Sequence, residues 1–177
     1  MECVQDIRIP RDRIGVLVGE KGSVKKKLQN EFDVMISVDS EEGEVLVSGG
    51  DGYNVFLCLN VIKAIARGFN PRVALLLKKE NYAFEIINIS DYCNSKSDLI
   101  RIRARVIGKY GRFRKHVEEL TGCTMVVYGK TVGLIGELSI VGVVKRAVEN
   151  LLRGSPHSNV IRFLEEQIKM LRGLSHE

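Results

Sequence analysis

No C-x-x-C pair occurs in this sequence, and its cysteines (Cys3, Cys58, Cys93 and Cys123) stand far apart. The histidines His116, His157 and His176 keep no ligand spacing from any of them. Zinc modules and disulfide frameworks need close-set ligands or paired thiols, so both are excluded; no metal and no cofactor is expected. The thiols read as buried or incidental groups in a reducing compartment. The opening MECVQDIRIPRDR has no apolar h-region, and no apolar run approaches a membrane span. We therefore expect a soluble, cytoplasmic protein with no membrane association. Ser/His/Asp spacing and paired carboxylates beside basic segments are also missing, which leaves an enzyme without a nucleophile or an acid–base pair. What remains is a chain of 177 residues with 45% apolar content, a net charge of +5 and a pI near 9.1. Such a chain builds a real core and leans toward a polyanionic partner.

The chain repeats itself. Shifted by 89 residues, Gly19 falls on Gly108, Gly22 on Gly111, Lys25 and Lys26 on Arg114 and Lys115, and Val34–Val38 on Cys123–Val127. Further on the offset falls to 86, where Ala66-Arg67-Gly68 meets Leu152-Arg153-Gly154. A small loss in a connecting loop explains the change.

Periodicity gives each copy the order β-α-α-β-β-α. In the first copy Ile7–Ile9 alternates as a strand, Arg13–Val18 is a short helix broken at Gly19–Gly22, and Ser23 caps a helix carrying Val24, Leu28 and Phe32. Val34–Val38 and Glu44–Val47 are strands joined by an acidic turn. Asp51 or Gly52 opens a longer helix with Val55, Phe56, Leu59, Ile62 and Ile65 on one face. In the second copy Ile100–Arg103 is expected as the strand, Arg112–Leu120 as a helix, Cys123–Tyr128 and Thr131–Ile135 as strands, and Ser139–Arg153 as a helix. Residues 1–69 and 98–155 are thus two α+β units, each a three-stranded antiparallel sheet covered by three helices. Residues 70–97 form a connector in which Asn70-Pro71 starts a short helix followed by apolar AFEIINI. Residues 156–177 carry a helix striped by Ile161, Leu164, Ile168 and Leu171. Both extras are expected to pack the two units together.

The chain holds four G-x-x-G pairs, and glycine is plentiful enough that a bare pair means little. Gly49/Gly52 and Gly133/Gly136 sit in or beside strands and read as structural. Gly19/Gly22 and Gly108/Gly111 each follow a short apolar helix, precede a basic one and occupy the same place in the repeat. Such a junction needs glycine to turn, and it leaves unpaired amides at a helix start whose dipole favours an anion. Glu20, Lys21, Lys25 and Lys26 surround the first pair, and Lys109, Tyr110, Arg112, Arg114 and Lys115 the second. A Walker loop needs Gly-Lys-Ser where this chain has Lys21-Gly22-Ser23, and the Rossmann fingerprint needs a third glycine where Val18 stands. Both mononucleotide motifs are therefore ruled out, which leaves a nucleic-acid backbone or a bare structural turn as the readings of the loop.

Ile14–Gly22 and Val106–Gly111, the latter followed by EELTGCTMVV, resemble the apolar helix and GxxG loop of type I KH domains. That resemblance implies a clamp on about four nucleotides of single-stranded RNA, with the loop on the backbone and the bases in an apolar groove. By position the groove walls are Ile14, Val18 and Ile36 in the first unit, and Arg103, Val106, Ile107 and Met125 in the second. Two such units together with YGKTVGLIGE and RGSPHSNV resemble the two-KH small-subunit rRNA-processing factor of archaea and eukaryotes, the partner of the Nob endonuclease. The family's eukaryotic members have a degraded first unit, whereas Gly19 and Gly22 are intact here. With the short N-terminal lead, this implies an archaeal form.

The resemblance also implies binding near the 3′ end of small-subunit rRNA, an rRNA-processing endonuclease and a translation initiation factor as partners, and a monomer. The alternative is a scaffold whose KH surfaces recruit those proteins. Between Arg101 and Lys115 there are seven basic residues and no acid, Arg103 and Arg105 among them; between Arg8 and Lys27 there are also seven, but Asp12 and Glu20 subtract two. The second unit is expected to be the stronger clamp.

Overall fold

The computed structural model describes residues 2–174 and divides into two units, one ending at Glu80 and the other beginning at Asn81. The end of the expected C-terminal segment, with His176, lies outside the described residues.

The first unit runs β1 (Cys3–Arg8), α1 (Arg11–Val18), α2 (Ser23–Phe32), β2 (Met35–Asp39), β3 (Glu44–Gly49), α3 (Gly52–Ala66) and α4 (Pro71–Ala74). Its sheet is antiparallel in the order β1-β3-β2, with Ile7 opposite Val45 and Ile36 opposite Val47. Strand side chains alternate between faces, so Val45 and Val47 are buried under the helices while Glu44 and Leu46 face outward. The Asp39 carboxylate folds the acidic turn by accepting the amides of Glu41 and Glu42, with Glu42's bond the larger of two that lower its pKa. Asp51 caps α3 by accepting the Tyr53 amide. Val55, Leu59, Ile62 and Ile65 are buried as expected, but Phe56 is exposed: it falls one position off the stripe. Ser23 is also reassigned, for Gly22 occupies the cap and Ser23 is the first helical residue. Asn70 caps α4 through the Arg72 amide, with Pro71 in the first turn.

The second unit runs β4 (Tyr82–Asn88), α5 (Lys96–Ile107), α6 (Arg112–Thr121), β5 (Thr124–Tyr128), β6 (Thr131–Glu137), α7 (Leu138–Leu152) and α8 (His157–Leu174). Its antiparallel sheet has the order β4-β6-β5. Here the structure corrects the expected first strand. Ile100–Arg103 lies inside α5, capped by the Ser95 hydroxyl, which accepts the Asp98 amide. The alternation Ile-Arg-Ile-Arg mimics a strand, yet burial follows the helical spacing of Ile102 and Val106 and leaves Ile100 exposed. The strand is supplied instead by the AFEIINI segment, with Ile87 opposite Val132.

The proposed 70–97 connector therefore does not stand apart. Its first half packs on α3 within the first unit, and its second half is a sheet strand of the second. Likewise α8 packs on α6 and α7 of its own unit, burying Val160, Leu164 and Ile168. Gly49 and Gly136 behave as structural glycines: a Cβ on Gly136 would collide with the Cys123 thiol, and one on Gly49 would press on Val34 and Val55.

Candidate nucleic-acid interface

In each unit two helices meet at a three-residue 3-10 turn, Glu20–Gly22 in the first and Lys109–Gly111 in the second. The backbones coincide closely. Gly19 has φ 74°, ψ 175°, and Gly108 has φ 78°, ψ 168°. Lys21 and Tyr110 follow at φ 52° and 55°, then Gly22 and Gly111 at 76° and 70°. A left-handed backbone at a non-glycine residue costs roughly 1–2 kcal/mol, so Lys21 and Tyr110 are held there by what surrounds them. The Gly111 amide donates to the Gly108 carbonyl at 3.1 Å, and the Gly22 amide to that of Gly19 at 3.2 Å.

The two glycines of each pair do different jobs. A Cβ on Gly108 would stand 2.6 Å from Phe113 Cβ and 2.8 Å from its backbone nitrogen; on Gly19 it would meet Val24 at the same two distances. The first glycine lets the following helix start close against the turn. A Cβ on Gly22 or Gly111 would touch nothing within 4 Å. That side of the turn is open to solvent. No side chain caps α2 or α6; the amides of their first residues, Ser23 and Arg112, donate to the Glu20 and Lys109 carbonyls of the turn, and the positive end of each helix dipole faces the loop.

Around the second loop Tyr110 projects outward, 80% exposed, with Lys109 Nζ and the Arg112 guanidinium 5.7 and 5.8 Å from its ring centroid. Lys115 is exposed; Arg114 is half-buried and joined to Glu118 at 3.2 Å. Two predicted arginines sit differently from expectation. Arg105 turns inward, donating to the carbonyls of Leu151 and Ser155 at 3.1 and 2.9 Å, and so caps the C-terminal end of α7. Arg101 pairs with Asp98 at 2.9 Å, and that bond, followed by the Asn94 amide, holds the Asp98 carboxyl below its usual range. Arg103 is half-buried on α5, its Nε enclosed and without a partner. In the first unit Arg13 serves α3 as Arg105 serves α7, donating to the carbonyls of Ile65 and Phe69. Glu20, Lys21 and Lys26 are exposed, and Lys25 is half-buried.

The groove also needs correction. Ile14, Ile36, Val106 and Met125 are buried in the cores, where helix and sheet meet. Val18 and Ile107, equivalent in the repeat, remain partly exposed in the last turn before each loop, and with Arg103 they are the expected wall residues that keep surface open to solvent. One feature escaped the sequence reading. The Gln29 Oε1 accepts the Ile36 amide at 2.9 Å, and the Glu118 Oε1 accepts the Met125 amide at 2.9 Å. Both pairs lie at the 89-residue offset, which is the signal that would have found them. They tie the helix after each loop to the neighbouring strand and fix the width of the surface between.

The comparisons with known proteins agree with this geometry. Residues 4–64 match the KH domain model, and residues 83–169 match a eukaryotic type KH-domain (KH-domain type I) model. A KH domain-containing protein of Methanocaldococcus jannaschii is 40% identical over 175 residues, 97% of this chain and 77% of that protein. Among solved structures, the chain is similar to aDim2p from Pyrococcus horikoshii, crystallised in a complex with a/eIF2alpha and rRNA. The TM-score is 0.88 at 40% identity, with 95% of both chains covered. A protein of unknown function from Aeropyrum pernix superposes with a TM-score of 0.94 at 29% identity, covering 99% of this chain and 96% of that one.

Proposed function

This chain belongs to the two-KH-domain rRNA-processing family that includes archaeal Dim2p, and from that membership we propose that it binds single-stranded rRNA near the 3′ end of the small-subunit molecule and presents it for processing. The observation that carries the reading is the loop. The same turn occurs twice, open at its second glycine, uncapped at the helix it starts and edged by cations.

A phosphate fits at the positive end of the α6 dipole with Lys109 and Arg112 on either side, while a base lies beside Ile107. KH modules hold about four nucleotides in this manner. Affinity is largely electrostatic and falls as salt rises. The second unit is the stronger clamp, because Glu20 places an acid in the first unit's loop where Lys109 stands in the second. The protein acts as a cytoplasmic binder and not as a catalyst. Its protein partners are a translation initiation factor, as in the Pyrococcus complex, and the endonuclease that cuts the presented strand.

Replacing Lys109 and Tyr110 together by aspartate tests the loop. Filter binding with a small-subunit 3′-end RNA should show a loss of about 100-fold or more, since two anions then face each phosphate, while the thermal midpoint stays near the parent's. Undiminished affinity would remove the second loop from the interface.

A further inference from the structure

Beside the second loop, on the side of α6 turned away from β5, a cavity of about 620 Å³ opens between α6 and α8. Glu118 marks the sheet-facing side of α6 by holding the Met125 amide, whereas Phe113 and His116 lie on the other side and line the cavity. Buried Phe113 and half-buried Ile161 form its apolar floor. His157, from the RGSPHSNV stretch, fixes that floor: its Nε2–H donates to the Arg105 carbonyl at 2.7 Å, and its ring meets Phe113 edge-on at 4.7 Å. The exposed side chains of Lys109, Arg112, His116, Arg162 and Glu165 make the rim.

The recess is broad and open to solvent, a shape that holds one face of a planar ring rather than surrounding it. Gly108 and Lys109 belong both to the loop and to this cavity, so a strand clamped by the loop passes its mouth. An apolar floor with a carboxylate on the rim disfavours a bare phosphate and suits a base, whose face lies on Phe113, Ile161 and the exposed His116 ring. Arg162 is placed to meet the adjoining backbone, and Glu165 to accept from the base edge. We propose that this cavity is an additional nucleobase subsite, which extends the strand held by the second KH unit beyond the nucleotides in its groove. The proposal rests on the loop reading above, because the loop delivers the strand.

The full chain is titrated by fluorescence anisotropy with a four-nucleotide RNA and with six-nucleotide RNAs extended at the 5′ or the 3′ end. One of the two extensions should tighten binding about tenfold, the scale of one stacked base. The same extension made abasic should lose most of that gain. Joint replacement His116→Ala and Arg162→Ala should abolish the gain while leaving the thermal midpoint and four-nucleotide affinity unchanged. Lys109→Asp/Tyr110→Asp acts on four-nucleotide binding itself, so a failed loop shows there and a failed subsite shows only in the length increment. Absence of a gain in the parent, a gain that survives in the double variant, or one that persists with abasic sugars overturns the subsite.

Discussion

Gly108→Ala and Gly111→Ala are the same chemical change three residues apart, and the structure predicts opposite consequences. Gly111 sits at φ 70° with open space around its would-be Cβ. Alanine there bears the left-handed backbone cost of roughly 1–2 kcal/mol, partly offset by the ~0.4–1 kcal/mol gained from a stiffer unfolded chain. The net loss is under about 1.5 kcal/mol. Gly108 combines φ 78° with ψ 168°, a region open essentially to glycine alone, at a cost of roughly 1–3 kcal/mol. Its Cβ would also stand 2.8 Å from the Phe113 backbone nitrogen, so the start of α6 must shift; overpacking of that kind costs a further ~1–3 kcal/mol. The two variants should therefore differ by about 3 kcal/mol, or some 15 °C in the midpoint of a unit this size. Tyrosine fluorescence reads this directly, since Tyr82, Tyr92, Tyr110 and Tyr128 lie in the second unit and Tyr53 alone in the first. RNA binding at a temperature where both variants are folded should reverse the order: Gly111→Ala puts a methyl on the open face and loses roughly tenfold, about one good contact. Equal melting points for the two variants would refute the division of labour within the pair.

Arg105→Met should lower the second unit's stability by about 2 kcal/mol, because the carbonyls of Leu151 and Ser155 lose a charged donor; RNA affinity below the melting range should stay within twofold, as titration will check. In native protein a thiol reagent should label Cys3 and Cys93 and spare buried Cys58 and Cys123 until denaturant is added. Burial pushes the Cys58 thiol from 9.0 up to about 12, so above pH 9 the unfolded chain loses a proton that the folded one keeps. Stability should then fall by up to ~1.4 kcal/mol per pH unit between those values on account of Cys58, with buried Cys123 adding a slope of the same sign; Cys58→Ala should remove the Cys58 share in denaturant titrations and leave that of Cys123.

How much of this could be read from the sequence depended on whether the cause was local. The loops were legible because the fixed 89-residue offset carries glycines, cations and the flanking apolar helix together. Strand β4 was not, because α5 has twelve residues where α1 has eight, and the longer helix carried an alternating Ile-Arg stretch where a strand was sought. Tertiary burial decided the matter, since Ile102 and Val106 face the core on one helical side. Arg105 counts among the RNA-side cations in the sequence because its carbonyl partners lie 46 and 50 residues away and leave no trace in the local pattern. The groove assignments failed at Ile14, Ile36, Val106 and Met125 for a related reason: an apolar residue near a site and an apolar residue beneath it look alike until the sheet is placed.

The left-handed residue between the glycines has a consequence for how the two units diverge. The peptide geometry at Lys21 and Tyr110 agrees to within a few degrees, although one side chain is an ammonium on a flexible stem and the other a rigid phenol. Its shape comes from the framework and not from the tip it carries, so that tip is exchangeable. One half of the molecule offers a point charge and the other a stacking plate without redrawing the scaffold. Grafting either tip onto the opposite half should transfer its ligand preference while the architecture stays put.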